Sequence, residues 1–277
     1  MLRATVMALT ALAAVMLVTM QAPGTASAAD PSWAPAGQAT IHPGVLTDTQ
    51  GGGKCTANFV FYNATDVFIG QAAHCAGTGP ATETSGCTAG TKPLGTPVTI
   101  GGASKPGTLV YSSWITMAKR GEQDANICNF NDFALVKIDS ADRGKVNPSL
   151  PVFGGPTGIS TSSPAFGDRV FTYGNSPLRG GISLLSPKEG ISLGDDGDGW
   201  SHTCYTVTPG VPGDSGSAVL THDGKALGVL ASLAVAPLAG SNGVGDLSRE
   251  LNYLNTHGGL GQVSLALGTE PFHPTLS

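Results

Sequence analysis

The chain is poor in charge. Only 12% of its 277 residues are Asp, Glu, Lys or Arg, the net charge is −5, and there is no basic tract. A surface of that kind does not attract a polyanion, so nucleic acid is not expected as a partner. Beyond Met20 no apolar run is long enough to cross a bilayer, and no membrane span is expected. No sequence repeat is present, which argues against a propeller or solenoid. His42, His202, His222, His257 and His273 lack the spacing of zinc ligands. Asp195-Asp196-Gly197-Asp198-Gly199 lacks the bidentate glutamate of a calcium loop and reads as a solvated acidic turn. No metal and no cofactor are expected.

Glycine and proline are abundant instead, at 40 and 19 residues, too many for a helical protein. They predict short strands joined by tight turns. Residues 1–29 read as a signal peptide: Arg3 opens it, 4–20 is an apolar run, and Ala26-Ser27-Ala28 offers small residues for cleavage. The remaining 248 residues are expected to be secreted and soluble. Five cysteines in an exported chain imply disulfides with one thiol left over.

Chemistry is concentrated in Pro212-Gly213-Asp214-Ser215-Gly216-Ser217. Glycines on both sides of a serine let a reacting carbonyl approach the backbone closely. If the Gly213 and Ser215 amides point the same way, they form a pocket for a developing oxyanion. Ser215 would be the nucleophile, and it needs a base and an orienter. His74 ends an apolar run at 67–72, and Asp132 opens another at 133–138, where a carboxylate is shielded from water. Asp124 and Asp139 are the alternative carboxylates, but neither begins a buried strand.

The order His74, Asp132, Ser215, with Ala72-Ala73-His74-Cys75 around the histidine and Gly213-Asp214-Ser215-Gly216 around the serine, resembles the chymotrypsin/trypsin-like serine proteases. The likeness runs over about residues 40–258, in the secreted bacterial form of that family. It implies an all-β fold of two six-stranded antiparallel β-barrels with a short C-terminal helix. Residues 36–145 would carry His74 and Asp132, and residues 146–264 would carry Ser215 and the helix. It also implies a monomeric endopeptidase acting on a peptide or protein substrate, with Gly213 and Ser215 as the oxyanion hole. A bridge between Cys55 and Cys75 would tie the histidine loop to the preceding strand, stabilising by roughly 3 kcal/mol. Cys87 and Cys128, both in polar sequence between the histidine and the aspartate, form the second expected pair, and Cys204 reads as a buried thiol.

Two departures from the family pattern matter. Nothing before Cys55 reads as the activation site of animal zymogens, so Asp214 needs an internal cation. Arg169 is the candidate, since bacterial members use an internal arginine there. Trypsin-like members also carry an aspartate six residues before the serine, where this chain has Pro209. With Ala231, Ser232 and Leu233 as the facing wall, the pocket would suit an uncharged side chain.

Strands are expected at 55–62, 67–72, 97–100, 108–117, 133–138, 169–173, 182–185, 191–193, 203–208, 218–220 and 226–235, with a polar loop over 119–129. His222-Asp223-Gly224-Lys225 is a hairpin turn, and Asp246 caps a helix running to Gly258. Two rival functions remain. A secreted esterase of the α/β-hydrolase class would draw its acid and base from Asp246 and His257, although Ser217 stands where that motif needs glycine. A catalytically silent, protease-like binding protein is the other.

Overall fold

The computed structural model describes residues 31–79, 85–233 and 239–275; the expected signal peptide lies outside them. The first half contains β1 (Leu46–Thr49), β2 (Lys54–Thr56), β3 (Val60–Tyr62), β4 (Val67–Gln71), β5 (Pro97–Ile100), β6 (Gly107–Ser112) and β7 (Ala134–Lys137). Helices α1 (Ser113–Arg120) and α2 (Ala125–Phe130) lie between β6 and β7. The second half contains β8 (Arg169–Tyr173), β9 (Pro187–Asp196), β10 (Ser201–Thr206), β11 (Ala218–Thr221), β12 (Ala226–Leu233) and β13 (Asn242–Asp246). Then come α3 (Leu247–His257) and β14 (Ser264–Leu265). No helix among the described residues is long and apolar enough to cross a membrane.

Strands β8–β13 form a closed barrel in the order β10-β13-β12-β11-β8-β9. The other sheet has the order β14-β3-β4-β7-β6-β5-β1-β2. Strands β2 and β3, at opposite sides of that order, are one stretch of chain joined through Ala57–Asn58–Phe59. Ala57 N–H donates to Val45 O (2.8 Å), while Gly70 N–H donates to Phe59 O (2.9 Å). The segment therefore pairs with β1 early and β4 late, and the sheet curls into six chain segments with β14 added beside β3.

Burial explains why these segments are strands. Val60, Ile69, Val98, Ile100, Leu109 and Val136 fill the first sheet; Val170, Val219, Leu227, Leu230 and Val244 fill the second. The seam between the halves is aromatic. Phe59, Phe61, Phe133, Phe153 and Phe171 pack there with Leu247, Leu251 and Leu254 of α3. Each such side chain contributes about 1.5–3 kcal/mol by burial. Both expected disulfides, Cys55–Cys75 and Cys87–Cys128, are formed. Cys204 is a buried free thiol whose pKa is pushed up to about 12 by burial.

The structure departs from the sequence reading at three expected elements, and it adds β1, β13 and β14, which that reading does not contain. The expected strand over 108–117 stops at Ser112, and α1 follows, burying Trp114 and Met117 one turn apart. Gly121 ends that helix at φ +63°, a left-handed conformation that a side chain disfavours. The expected polar loop contains α2, capped by Asp124, whose carboxylate accepts from Asn126 N (2.8 Å) and Ile127 N (3.2 Å). The expected strand over 182–185 is a 3-10 turn, because Gly180 and Gly181 both take positive φ and direct Ile182, Leu184 and Leu185 into solvent. Helix α3 is as expected: Asp246 accepts from Arg249 N at 2.8 Å, and the three leucines are buried.

Candidate active site

Strand register brings His74 to Asp132. Antiparallel β4 and β7 pair Gln71 with Ala134, so two residues further on Ala73 lies opposite Asp132, and Ala73 N–H donates to Asp132 O at 3.2 Å. His74 follows in a 3-10 turn, Ala73–Ala76. Its backbone N–H donates to Asp132 Oδ1 (2.8 Å), and its Nδ1 bonds Asp132 Oδ2 (2.6 Å). The carboxylate thus fixes both the loop and the ring. It leaves Nε2 as the nitrogen free to exchange a proton. Burial alone would lower the His74 pKa, but the Asp132 charge and hydrogen bond outweigh it and hold it above the ordinary value. The alternative carboxylates are engaged elsewhere: Asp124 caps α2, and Asp139 accepts from Ala141 N at 2.9 Å.

The serine loop is fastened to β2. Thr56 N–H donates to Ser215 O (2.9 Å), and Thr56 Oγ1 donates to Gly213 O (2.7 Å). Its neighbour Cys55 is bonded to Cys75, next to His74. A Cβ on Gly216 would fall 2.6 Å from Thr56 O and 3.0 Å from Ala72 N, so only glycine allows this approach. The loop's amides are sorted by position. Those of Asp214, Gly216 and Ser217 donate to Val211 O, Leu230 O and Asp214 O. Those of Gly213 and Ser215 donate to nothing among the described residues. Gly213, at φ +96°, takes a backbone conformation that turns the loop at this point. The Ser215 hydroxyl makes no hydrogen bond to His74 among the described residues; such bonds are often long before substrate binds. Cys55, Cys75 and His74 also offer ligand atoms within 4.8 Å of one another, but both sulfurs belong to the disulfide and no thiolate remains for a metal.

No protein-family model and no curated protein sequence matches the chain. Among solved structures it is similar to Thermobifida fusca protease A, with a TM-score of 0.51 and 19% identity over 83% of this chain and 100% of that one. It is similar also to Nocardiopsis protease, with a TM-score of 0.50 and 19% identity over 81% of this chain and 98% of the other. The fold is that of the chymotrypsin-like serine proteases. At this identity the likeness is one of fold, and the chemistry has to be argued from the residues.

Within the chymotrypsin-like frame, the aspartate before the serine has two cations, and neither is Arg169. Asp214 is fully buried and accepts from Lys188 Nζ (2.6 Å), Arg179 Nη2 (2.5 Å), Ser176 N (3.0 Å) and Val211 N (3.1 Å). Burial would raise its pKa; Arg179, Lys188 and the Val211 amide outweigh it and hold the carboxyl below its ordinary value. Burial pulls Lys188 down, partly offset by Asp214. Arg169, the first and exposed residue of β8, instead bonds Glu189 (2.7 Å) and Pro274 O (2.8 Å). No local signal in the sequence marks Lys188 or Arg179. Both reach Asp214 from elsewhere in the barrel, Lys188 from β9 and Arg179 from a 3-10 turn.

The expected pocket is partly visible. Pro209 O accepts from Arg179 Nη2 at 3.2 Å, and Gly210 N–H donates to buried Asn242 Oδ1 at 3.0 Å. Ala231 is half-buried on β12; the side chains of Ser232 and Leu233 lie outside the described residues. The acidic turn at 195–198 is held elsewhere, with Asp195 on His202 (2.9 Å) and Gly197 against Phe130. The esterase reading loses its acid and base: Asp246 caps α3 and bonds His202 (2.9 Å), while His257 packs edge-on against Tyr253.

Proposed function

We propose that the chain is a secreted serine endopeptidase that cleaves peptide bonds after uncharged residues through an acyl-enzyme. The observation that carries this reading is the pairing of a carboxylate-held His74 with a loop in which, among the described residues, the Gly213 and Ser215 amides are left free to donate. Residues 36–145 would supply His74 and Asp132, and residues 146–264 would supply Ser215. Ser215 Oγ attacks the scissile carbonyl while His74 Nε2 takes its proton, later giving it to the leaving amine. Asp132 stabilises the imidazolium. The carbonyl oxygen, now negative, sits on the two free amides, each worth about 3–4 kcal/mol of transition-state stabilisation. Water then hydrolyses the acyl-enzyme by the same route.

Ser215→Ala and His74→Ala should each abolish peptide hydrolysis and fluorophosphonate labelling, and the double variant should be scarcely worse, because the two groups act as a unit. A silent binding protein would take up no fluorophosphonate, and full activity in Ser215→Ala would end the reading. The preference for uncharged residues is supported by Arg179. Its guanidinium at the Pro209 carbonyl opposes a second cation in the pocket. Matched peptides should be cleaved after Phe, Leu, Tyr or Met faster than after Arg or Lys by at least about tenfold to a hundredfold. Preference for Arg over Phe would show that Pro209 is not the pocket base.

A further inference from the structure

Behind Asp132 lies a second carboxyl that the proposed reaction does not use. Glu250, on α3, is completely buried. Its Oε1 accepts the Asp132 backbone N–H at 3.0 Å, and its Oε2 has no hydrogen-bond partner among the described residues. The fit is close: a Cβ on Gly245 would lie 2.5 Å from Oε1. No lysine, arginine or histidine pairs with it among the described residues. The titratable groups that face it are Asp132 at the mouth of β7, Asp246 at the start of α3, and the buried Tyr111 hydroxyl of β6. Asp246 is in turn bonded to His202, whose other ring nitrogen bonds Asp195.

A carboxylate in that position would be stripped of water, would hold one hydrogen bond, and would face two further negative charges. Uncompensated burial of charge is among the costliest arrangements in a protein, and the group neutralises instead. Burial, reinforced by Asp132 and Asp246 against the single hydrogen bond from the Asp132 amide, pushes the Glu250 pKa well above the carboxylate range. We propose that Glu250 is a positioning residue for Asp132, a neutral carboxylic acid whose Oε1 fixes the Asp132 backbone while Oε2 carries the proton. The inference rests on the serine-protease reading. It deepens that reading by naming what holds the orienter of His74. A neutral group does this without adding charge behind the His74–Asp132 pair; once ionised, it would repel Asp132 from the side that now anchors it.

The test is kcat and KM from about pH 6 to about pH 11 for the whole chain, Glu250→Gln and Glu250→Leu, together with the infrared band of a protonated carboxylic acid. The parent should lose kcat in alkali as Glu250 ionises and repels Asp132; Glu250→Gln keeps a neutral acceptor, so its kcat should stay within about threefold of the parent near neutrality and should lack that alkaline loss. Glu250→Leu removes the acceptor. A displacement of about 1 Å can cost about a hundredfold, so kcat should fall about tenfold to a hundredfold with KM unchanged. The parent should show the protonated-carboxyl band at neutral pH, and Glu250→Gln should lack it. Absence of that band overturns the proposal even in an active enzyme. An alkaline limb unchanged in position and amplitude in Glu250→Gln overturns it too, as does full kcat in a folded Glu250→Leu. If Glu250→Leu does not fold, the Gln variant and the infrared band decide alone. A parent inert to fluorophosphonate removes the protease reading, and the positioning role with it, whatever the band shows.

Discussion

Replacing Asp214 by asparagine should cost much more than replacing a cation that serves it. Asp214 and Lys188 have fully buried side chains, and Arg179 is only 10% exposed. Asp214→Asn leaves two cations facing a neutral amide, and Lys188 has no other hydrogen-bond acceptor among the described residues. Breaking a buried pair in this way costs about 3–5 kcal/mol. Lys188→Met removes a charge whose burial is itself costly, and Asp214 keeps Arg179 and the Ser176 and Val211 amides. Its net cost should not exceed about 2 kcal/mol, near the value of one charge-assisted hydrogen bond. Urea unfolding at neutral pH measures both, with unchanged m-values confirming that the comparison is of folded stability.

The same pair makes a pH prediction. The Asp214 pKa is lowered in the folded chain. Its contribution is therefore present above the ordinary carboxylate pKa and is lost as pH falls through the folded value. The gap between the parent and Asp214→Asn should close in acid. Fluorophosphonate labelling of the folded fraction adds a functional reading, because residue 214 lies between the two free amides. Lys188→Met should label nearly as fast as the parent, and Asp214→Asn far more slowly. Equal destabilisation by the two variants would refute the reasoning, since it would mean that Arg179 cannot hold Asp214 alone.

Two further outcomes follow from the histidines. His74 must be neutral to accept the Ser215 proton and its pKa is raised, so kcat/KM should rise through a limb above about pH 6.5, and Asp132→Asn should move that limb to lower pH while reducing the rate; a limb unmoved by Asp132→Asn would detach the carboxylate from the base. His202 is buried between Asp246 and Asp195, which outweigh its burial and raise its pKa. Its contribution is present in full below the ordinary histidine value and fades as pH rises through the folded one. The stability lost in His202→Gln, read by urea unfolding, should thus be larger near pH 5.5 than near pH 9, and a loss that instead grows with pH would show the buried ring to be neutral.

What the sequence made legible was local. His74, Asp132 and Ser215 stand in short motifs whose apolar flanks become β4, β7 and β11, and the flank lengths fix the register that joins His74 to Asp132. The turn at 222–225 was equally local: Thr221 N–H donates to Lys225 O, with Gly224 at φ +79°. What stayed hidden was decided at a distance. The stretch after Ser112 holds Trp, Ile and Thr, residues that favour strands, yet burial of Trp114 and Met117 against the first sheet selects a helix. Lys188 and Arg179 lie 26 and 35 residues before Asp214, and no spacing rule links them to it. Glu250 falls between Leu247 and Leu251 of α3, where a glutamate ordinarily marks the solvated face; only the packing of α3 against the mouth of β7 makes it a core residue.

The candidate site lies on a seam, and its constraints differ greatly in strength. His74 and Asp132 are locked by a strand ladder and two short hydrogen bonds within one half of the molecule. The aromatic seam of Phe59, Phe61, Phe133, Phe153 and Phe171 holds the halves together, with several side chains at about 1.5–3 kcal/mol each. The serine loop is joined to the histidine half by the two Thr56 hydrogen bonds to Ser215 O and Gly213 O, each worth about 1 kcal/mol net. The fold therefore outlasts that fastening by a wide margin. Stability selects the seam, and the Thr56 side chain is itself fully buried: its Oγ1 donates to Gly213 O and accepts the Asn175 N–H at 3.0 Å, so its loss would leave both groups unpaired. Thr56, placed between a disulfide cysteine and the bend into β3, is thus one buried point at which the serine loop and the histidine half meet.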